Sequence, residues 1–214
     1  NVLSLGESSF AVCTGLETVR IGKGVTEIKG NMFGSCFQLK EVSMGNDVTL
    51  IDSGAFLSCT NLVNVNLGTS VTHIGIGAFS CCSSLTNLNI GNDVTIIENS
   101  AFDGCTKLQE IALPDTLTHI GNMAFRDCTS LTDVVIPDSV LSLGNDAFNG
   151  CLSLKSIIIG DGISNFLSRT FAECVNLETV RLGASLTSMG GDTFTGCLSL
   201  KWIDVSPDSP FFCS

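Results

Sequence analysis

The sequence predicts a repeat solenoid: a right-handed coil with one curved parallel β-sheet of nine strands on its concave face and short helical turns on its convex face. Three observations predict it. First, Phe10, Phe33, Phe56, Phe79, Phe102, Phe125, Phe148, Phe171 and Phe194 follow one another at a constant step of 23 residues. Second, Cys keeps the same step from Cys13 to Cys197, three residues after each Phe, and Leu keeps it from Leu16 to Leu200, three further on. Third, no insertion or deletion interrupts the nine copies. A fixed period of this length marks a stack of identical coils, in which each coil buries its apolar face only against its neighbours.

The elements of one coil follow from its columns. Val19, Val42, Val65, Leu88, Ile111, Val134, Ile157, Val180 and Ile203 form one apolar column, and the residues from Ile21 to Val205 form another two positions on. This alternation is that of a strand with one buried face. It predicts strands over 17–21, 40–44, 63–67, 86–90, 109–113, 132–136, 155–159, 178–182 and 201–205. Gly or Pro follows in eight of the nine coils, as at Gly22, Pro114 and Gly183, and turns the chain. Further apolar columns from Val25 to Leu186 and from Ile28 to Met189 imply a short extended stretch. The A-F-x-x-C-x-x-L segment, with apolar positions three apart, reads as a single helical turn. The Phe and Cys columns should be buried, with the Phe rings stacked along the axis as a spine.

The unit L-x-x-V-x-I-P-x-x-V-x-x-I…A-F-x-x-C resembles the BspA-like class of leucine-rich repeat. Its clearest copy runs from Leu131 through Val134, Ile136, Pro137 and Val140 to Ala147, Phe148 and Cys151. The resemblance covers essentially the whole chain, and it implies a leucine-rich-repeat solenoid that is a bacterial or protist surface or secreted protein. It further implies adhesion, by binding another protein such as a host, matrix or surface protein. The general leucine-rich pattern has Asn or Cys at the ninth position, where this chain has Gly24, Asp47, Ser70 and their equivalents. No inward Asn ladder is therefore expected. The chain reads as a single solenoid over 1–214, about nine repeats, and as a fragment of a longer protein. It begins in mid-repeat and shows no polar cap at either end, so end-to-end self-association through those ends is an expectation.

Composition narrows the function classes. Apolar residues make up 44% of the chain, yet none of its apolar runs approaches the ~18 residues of a membrane span, so no membrane insertion is expected. The opening Asn1–Phe10 segment has neither a basic region nor a long apolar stretch, so no signal peptide is read there. The net charge of −11 repels phosphate backbones and argues against nucleic acid as partner.

No motif for catalysis, cofactor or metal stands out. The register cysteines lie 23 apart, without the close pairs that zinc sites use. Equivalent thiols in stacked coils would hold their Cβ atoms ~5 Å apart, wider than a disulfide prefers. They are expected to be free and buried, leaving Cys81 and Cys213 as accessible. His73 and His119 read as exposed turn residues. No P-loop, dinucleotide fingerprint or EF-hand loop occurs, so no cofactor and no enzyme activity are expected.

Specificity is then left to the outward strand positions. Ala112, Val135 and Ile158 form an apolar run, with Asp133 beside it and Arg181 and Trp202 beyond it. Aromatic and Arg anchors next to apolar area are what protein interfaces favour. These six are the candidate partner-binding residues. The alternative is a structural spacer or stalk within a larger surface protein.

Overall fold

The computed structural model describes residues 5–205, and each V-x-I copy in it forms a short strand. In chain order the strands are β1 (Thr18–Arg20), β2 (Glu27–Ile28), β3 (Glu41–Ser43), β4 (Leu50–Ile51), β5 (Asn64–Asn66), β6 (His73–Ile74), β7 (Asn87–Asn89) and β8 (Ile96–Ile97). They continue as β9 (Glu110–Ile111), β10 (His119–Ile120), β11 (Asp133–Ile136), β12 (Ser142–Leu143), β13 (Ser156–Ile159), β14 (Thr179–Leu182) and β15 (Trp202–Val205). Pairing is parallel and in register at one period, as in Val19 opposite Val42 and Val42 opposite Val65. In β1, β3 and β5 the central Val is buried and its two neighbours are exposed, as alternation requires.

All nine expected strand sites hold strands, but they form two ladders rather than one sheet. One is β1-β3-β5-β7-β9 and the other β11-β13-β14-β15. The interruption falls between β9, which stops at Ile111, three residues before Pro114, and β11, which Pro137 follows directly. One coil later Gly160 N–H donates to the Ile136 carbonyl at 2.9 Å; Pro137 has no N–H with which to make the equivalent bond. The coils stay stacked across the gap, since Thr132 N–H still reaches the Gln109 carbonyl at 3.3 Å. A further ladder, β2-β4-β6-β8-β10-β12, occupies what the sequence reading treated as an extended stretch.

The expected helical turns are not helices. Each Phe-x-x-Cys segment is a string of tight turns closed by i→i+3 bonds: Gly34 N–H to Asn31 O, Cys36 N–H to Phe33 O, Leu39 N–H to Cys36 O. The reason lies in two columns of left-handed residues, two before and two after each Phe. Asn31 and Ser35 have φ of 52° and 58°, and the same pair of positions is left-handed in every coil from Ser8 to Gly196. A right-handed helix cannot pass through such residues. The reversal turns alternate N–H groups along the axis instead. Asn31, Phe33 and Ser35 donate to Ser53, Ala55 and Leu57 of the next coil at 2.7–2.8 Å, so the buried backbone is satisfied between coils.

Inside, the Phe rings stack from Phe10 to Phe194 with neighbouring centroids 5.0–5.7 Å apart and planes within 16° of parallel. Phe56 to Phe171 are fully buried, whereas Phe10, in the first described coil, is 37% exposed. The Cys column has a specific task. Each thiol from Cys36 to Cys197 donates to the carbonyl of the Phe in the preceding coil, at 3.1–3.3 Å. From Phe10 to Phe148 that carbonyl already accepts the N–H of its own coil's Cys. Cys is small and apolar enough for the core and still carries a donor for this second lone pair.

A short Asn ladder stands at another repeat position, half-buried: Asn99, Asn122 and Asn145 side-chain oxygens accept the N–H of Asn122, Asn145 and Ser168 at 2.7–2.8 Å. Close beside it the coils nearly touch: a Cβ on Gly144 would fall 2.4 Å from Asn122 N. His73 and His119 are half-buried strand residues rather than exposed turn residues. His73 Nε2 lies 3.6 Å from Glu98, and His119 Nδ1 meets Ser142 Oγ.

The described cysteines are all free. Cys36 to Cys174 of the register column are buried, Cys197 is half-buried, and Cys13 is exposed, against the expectation of uniform burial. Cys81, outside the column, is exposed as expected; Cys213 lies outside the described residues. Among the described residues, a thiol reagent added to native protein should label Cys13 and Cys81 rapidly and Cys197 slowly. Peptide mapping that found Cys82, Cys105 or Cys128 labelled as fast as Cys81 would contradict this packing.

Candidate functional site

The strand face of the C-terminal half is built by β11, β13, β14 and β15. Their inward residues, such as Val134, Ile157 and Val180, are held in the core, so the alternate side chains must face solvent. Register places Val135 opposite Ile158, Ile158 opposite Arg181, and Arg181 opposite Asp204. Val135 is 57% and Ile158 41% exposed, high for aliphatic side chains in consecutive strands. These three candidates are brought together.

The other three are placed differently. Asp133 belongs to the neighbouring outward column, where its carboxylate accepts the Ser156 hydroxyl at 2.6 Å. That column continues through Thr179 to Trp202, so Trp202 stands diagonally to Arg181 and not in line with it. Its indole is 72% exposed. Ala112 is exposed too, but lies beyond the end of β9, across the ladder gap from Val135. The expected continuous Ala112–Val135–Ile158 ladder is thus cut after Ala112.

A shallow groove runs along Val135, Ile158 and Arg181, rimmed by Asp115, Asp138 and Asp161. The three carboxylates occupy one column in consecutive coils, just after Pro114, Pro137 and Gly160. Asp138 and Asp161 each spend one oxygen on the N–H one coil on, of Asp161 at 2.9 Å and of Ala184 at 2.7 Å. This row escaped the sequence reading, which considered only strand positions. The run of Asp at one repeat position was its visible signal.

A second groove lies over the N-terminal ladder, lined by Thr18, Arg20, Glu41, Ser43, Asn64 and Asn66. Its outward side chains are polar throughout. Among the described residues no group of three or more His, Cys, Asp or Glu side chains is arranged to hold a metal ion. Nor is any described helix long and apolar enough to cross a membrane.

Comparison with known proteins supplies the remaining context. A family model for the BspA type leucine rich repeat region matches in six copies over residues 1–109 and 95–210. A leucine rich repeat protein of T. pallidum is similar at 34% identity and a TM-score of 0.71, covering 75% of this chain and 77% of that one. A leucine rich cell surface protein from Faecalibacterium prausnitzii is similar at 30% identity and a TM-score of 0.58. That match covers 93% of this chain, which spans 62% of the Faecalibacterium protein. No curated protein matches the sequence.

Proposed function

The chain belongs to the BspA-type leucine-rich repeat family, and from that premise we propose that it is a protein-binding, adhesive module that holds its partner on the outward strand face of its C-terminal half. The observation that carries this is the exposed Val135–Ile158 pair on a rigid ladder, beside Arg181 and a largely exposed Trp202. Aliphatic side chains this exposed in register cost solvation unless they are covered, and Arg and Trp are the residue types that anchor interfaces. The backbone beneath is fixed by inter-coil bonds, so little ordering is needed on binding. The likeness to a cell surface protein favours a location on or outside the cell, where an adhesive surface has partners to meet.

The test is partner capture by the immobilised chain from defined matrix and cell-surface proteins, followed by substitution. Ile158→Asp and Trp202→Ala are expected to weaken a captured partner about tenfold or more without lowering thermal stability, since both side chains face solvent. Asn64→Ala, on the polar half of the same face, should leave binding unchanged. Asn89 is a poorer control, because its side-chain oxygen accepts the Gly91 N–H at 2.9 Å. If no strand-face substitution alters capture, the spacer reading replaces this one.

A further inference from the structure

Resting on that reading of the site, we infer that the partner's contact segment is cationic, with lysine or arginine alternating with aliphatic residues. The groove floor offers Val135 and Ile158, and its rim offers Asp115, Asp138 and Asp161 in three consecutive coils. Coil spacing sets such a row at ~5 Å per step, inside the ~8 Å screening length of physiological salt, so the three charges act on one ligand together. The second carboxylate oxygens of Asp138 and Asp161 have no hydrogen-bond partner among the described residues, and both side chains are exposed. The chain's net charge of −11 adds a long-range field of the same sign.

Charge order also gives the complex a direction. Moving along the axis, the rim carries Asp115, Asp138 and Asp161, and the floor then presents Arg181. A bound segment therefore has its basic side chains over the coils of Asp115, Asp138 and Asp161 and an acidic side chain, or its C-terminal carboxylate, over Arg181. Aliphatic residues between the basic ones lie against Val135 and Ile158. An extended segment meets both requirements, because its alternate side chains face opposite ways and separate the two roles. An anionic segment would meet three carboxylates and gain only Arg181.

The probe is a synthetic peptide of three Lys-Val repeats ending in Glu, compared with its charge-inverted form and with a Lys-Ser version, by fluorescence polarisation on the full chain. The Lys-Val peptide is expected to bind at least about tenfold tighter than either, and to weaken steeply as salt rises. The variant carrying Asp115→Asn, Asp138→Asn and Asp161→Asn should lose at least about tenfold. Asn keeps the side-chain oxygen that accepts the backbone N–H, so folding is preserved. Glu41→Asn with Asp93→Asn, charge changes on the other half, should lose less than twofold. Equal binding of the inverted peptide, or equal loss in the two sets of variants, overturns the cationic partner. If Val135→Ser and Ile158→Ser then still weaken capture of a protein partner, the proposed function stands alone. If they do not, both fall.

Discussion

Raising the pH from 8 to about 11 is expected to unfold this protein, and the buried thiols are the reason. Burial holds the thiols of Cys82, Cys105, Cys128 and Cys151 well above their ordinary range near 9 and pushes Cys59 up to about 12. In the unfolded chain all of them ionise once the pH passes about 9. Above that point the unfolded state has released protons that the folded state still binds. Stability is therefore full below the unfolded value and falls as the pH climbs toward the folded one. Each such thiol removes about 1.4 kcal/mol per pH unit, and Cys82, Cys105, Cys128 and Cys151 remove about 5–6 together. Against a total of about 5–15 kcal/mol, that places unfolding near pH 10–12. The chain has no Tyr to titrate in the same window. Circular dichroism with urea titrations at stepped pH, under reductant, reads the slope. Replacing Cys105 and Cys128 by Ser keeps a donor to the Phe79 and Phe102 carbonyls and removes two titrating groups. The slope should fall by about 3 kcal/mol per pH unit. A slope indifferent to the buried pair would sink the argument.

The strand positions and the core were legible in the sequence because a strict period lets nine copies report on each column. An error in one coil would have been visible in the other eight. The turns were misread for a physical reason: apolar residues three apart suit a helical turn and a string of tight turns equally well. The distinction lay in the columns flanking Phe, where Gly, Asn, Asp or Ser fills most positions, as at Gly54, Gly77, Gly104, Gly150 and Gly196. These are the residues that tolerate a left-handed backbone most readily. The split of the strand ladder had its sign in Pro114 and Pro137, which the reading treated only as turn residues. At the site, Arg181 and Trp202 are 21 residues apart rather than 23. That difference of two assigns them to different outward columns, a distinction the reading passed over. The aspartate row was missed because it stands on the turn after the strand, where binding residues were not sought.

Phe102→Ala is expected to remove about 3–5 kcal/mol of stability, a large share of the total for one substitution. Phe102 is fully buried, and its ring lies 5.5 Å from Phe79 and 5.3 Å from Phe125 with planes within 8° of parallel. Truncation opens a ring-sized void between two rigid neighbours. The coils on either side cannot close over it, because their separation is set by inter-coil bonds such as Phe102 N–H to Ala124 O at 2.8 Å. The same change at Phe10, 37% exposed and, among the described residues, stacked on one side only, should cost no more than about 1–2 kcal/mol. A pair of truncations then separates a spine from a set of independent core residues. Phe102→Ala with Phe125→Ala shares one enlarged void and one lost stacking contact, so its total should fall short of the summed singles by about 1 kcal/mol. Phe56→Ala with Phe125→Ala, three coils apart, should add within about 0.5 kcal/mol. Urea denaturation midpoints at pH 7 measure the wild type, the four single variants and the two double variants. Equal costs at Phe10 and Phe102, or additivity in the adjacent pair, would mean that the rings fill space without acting as a nearest-neighbour stack.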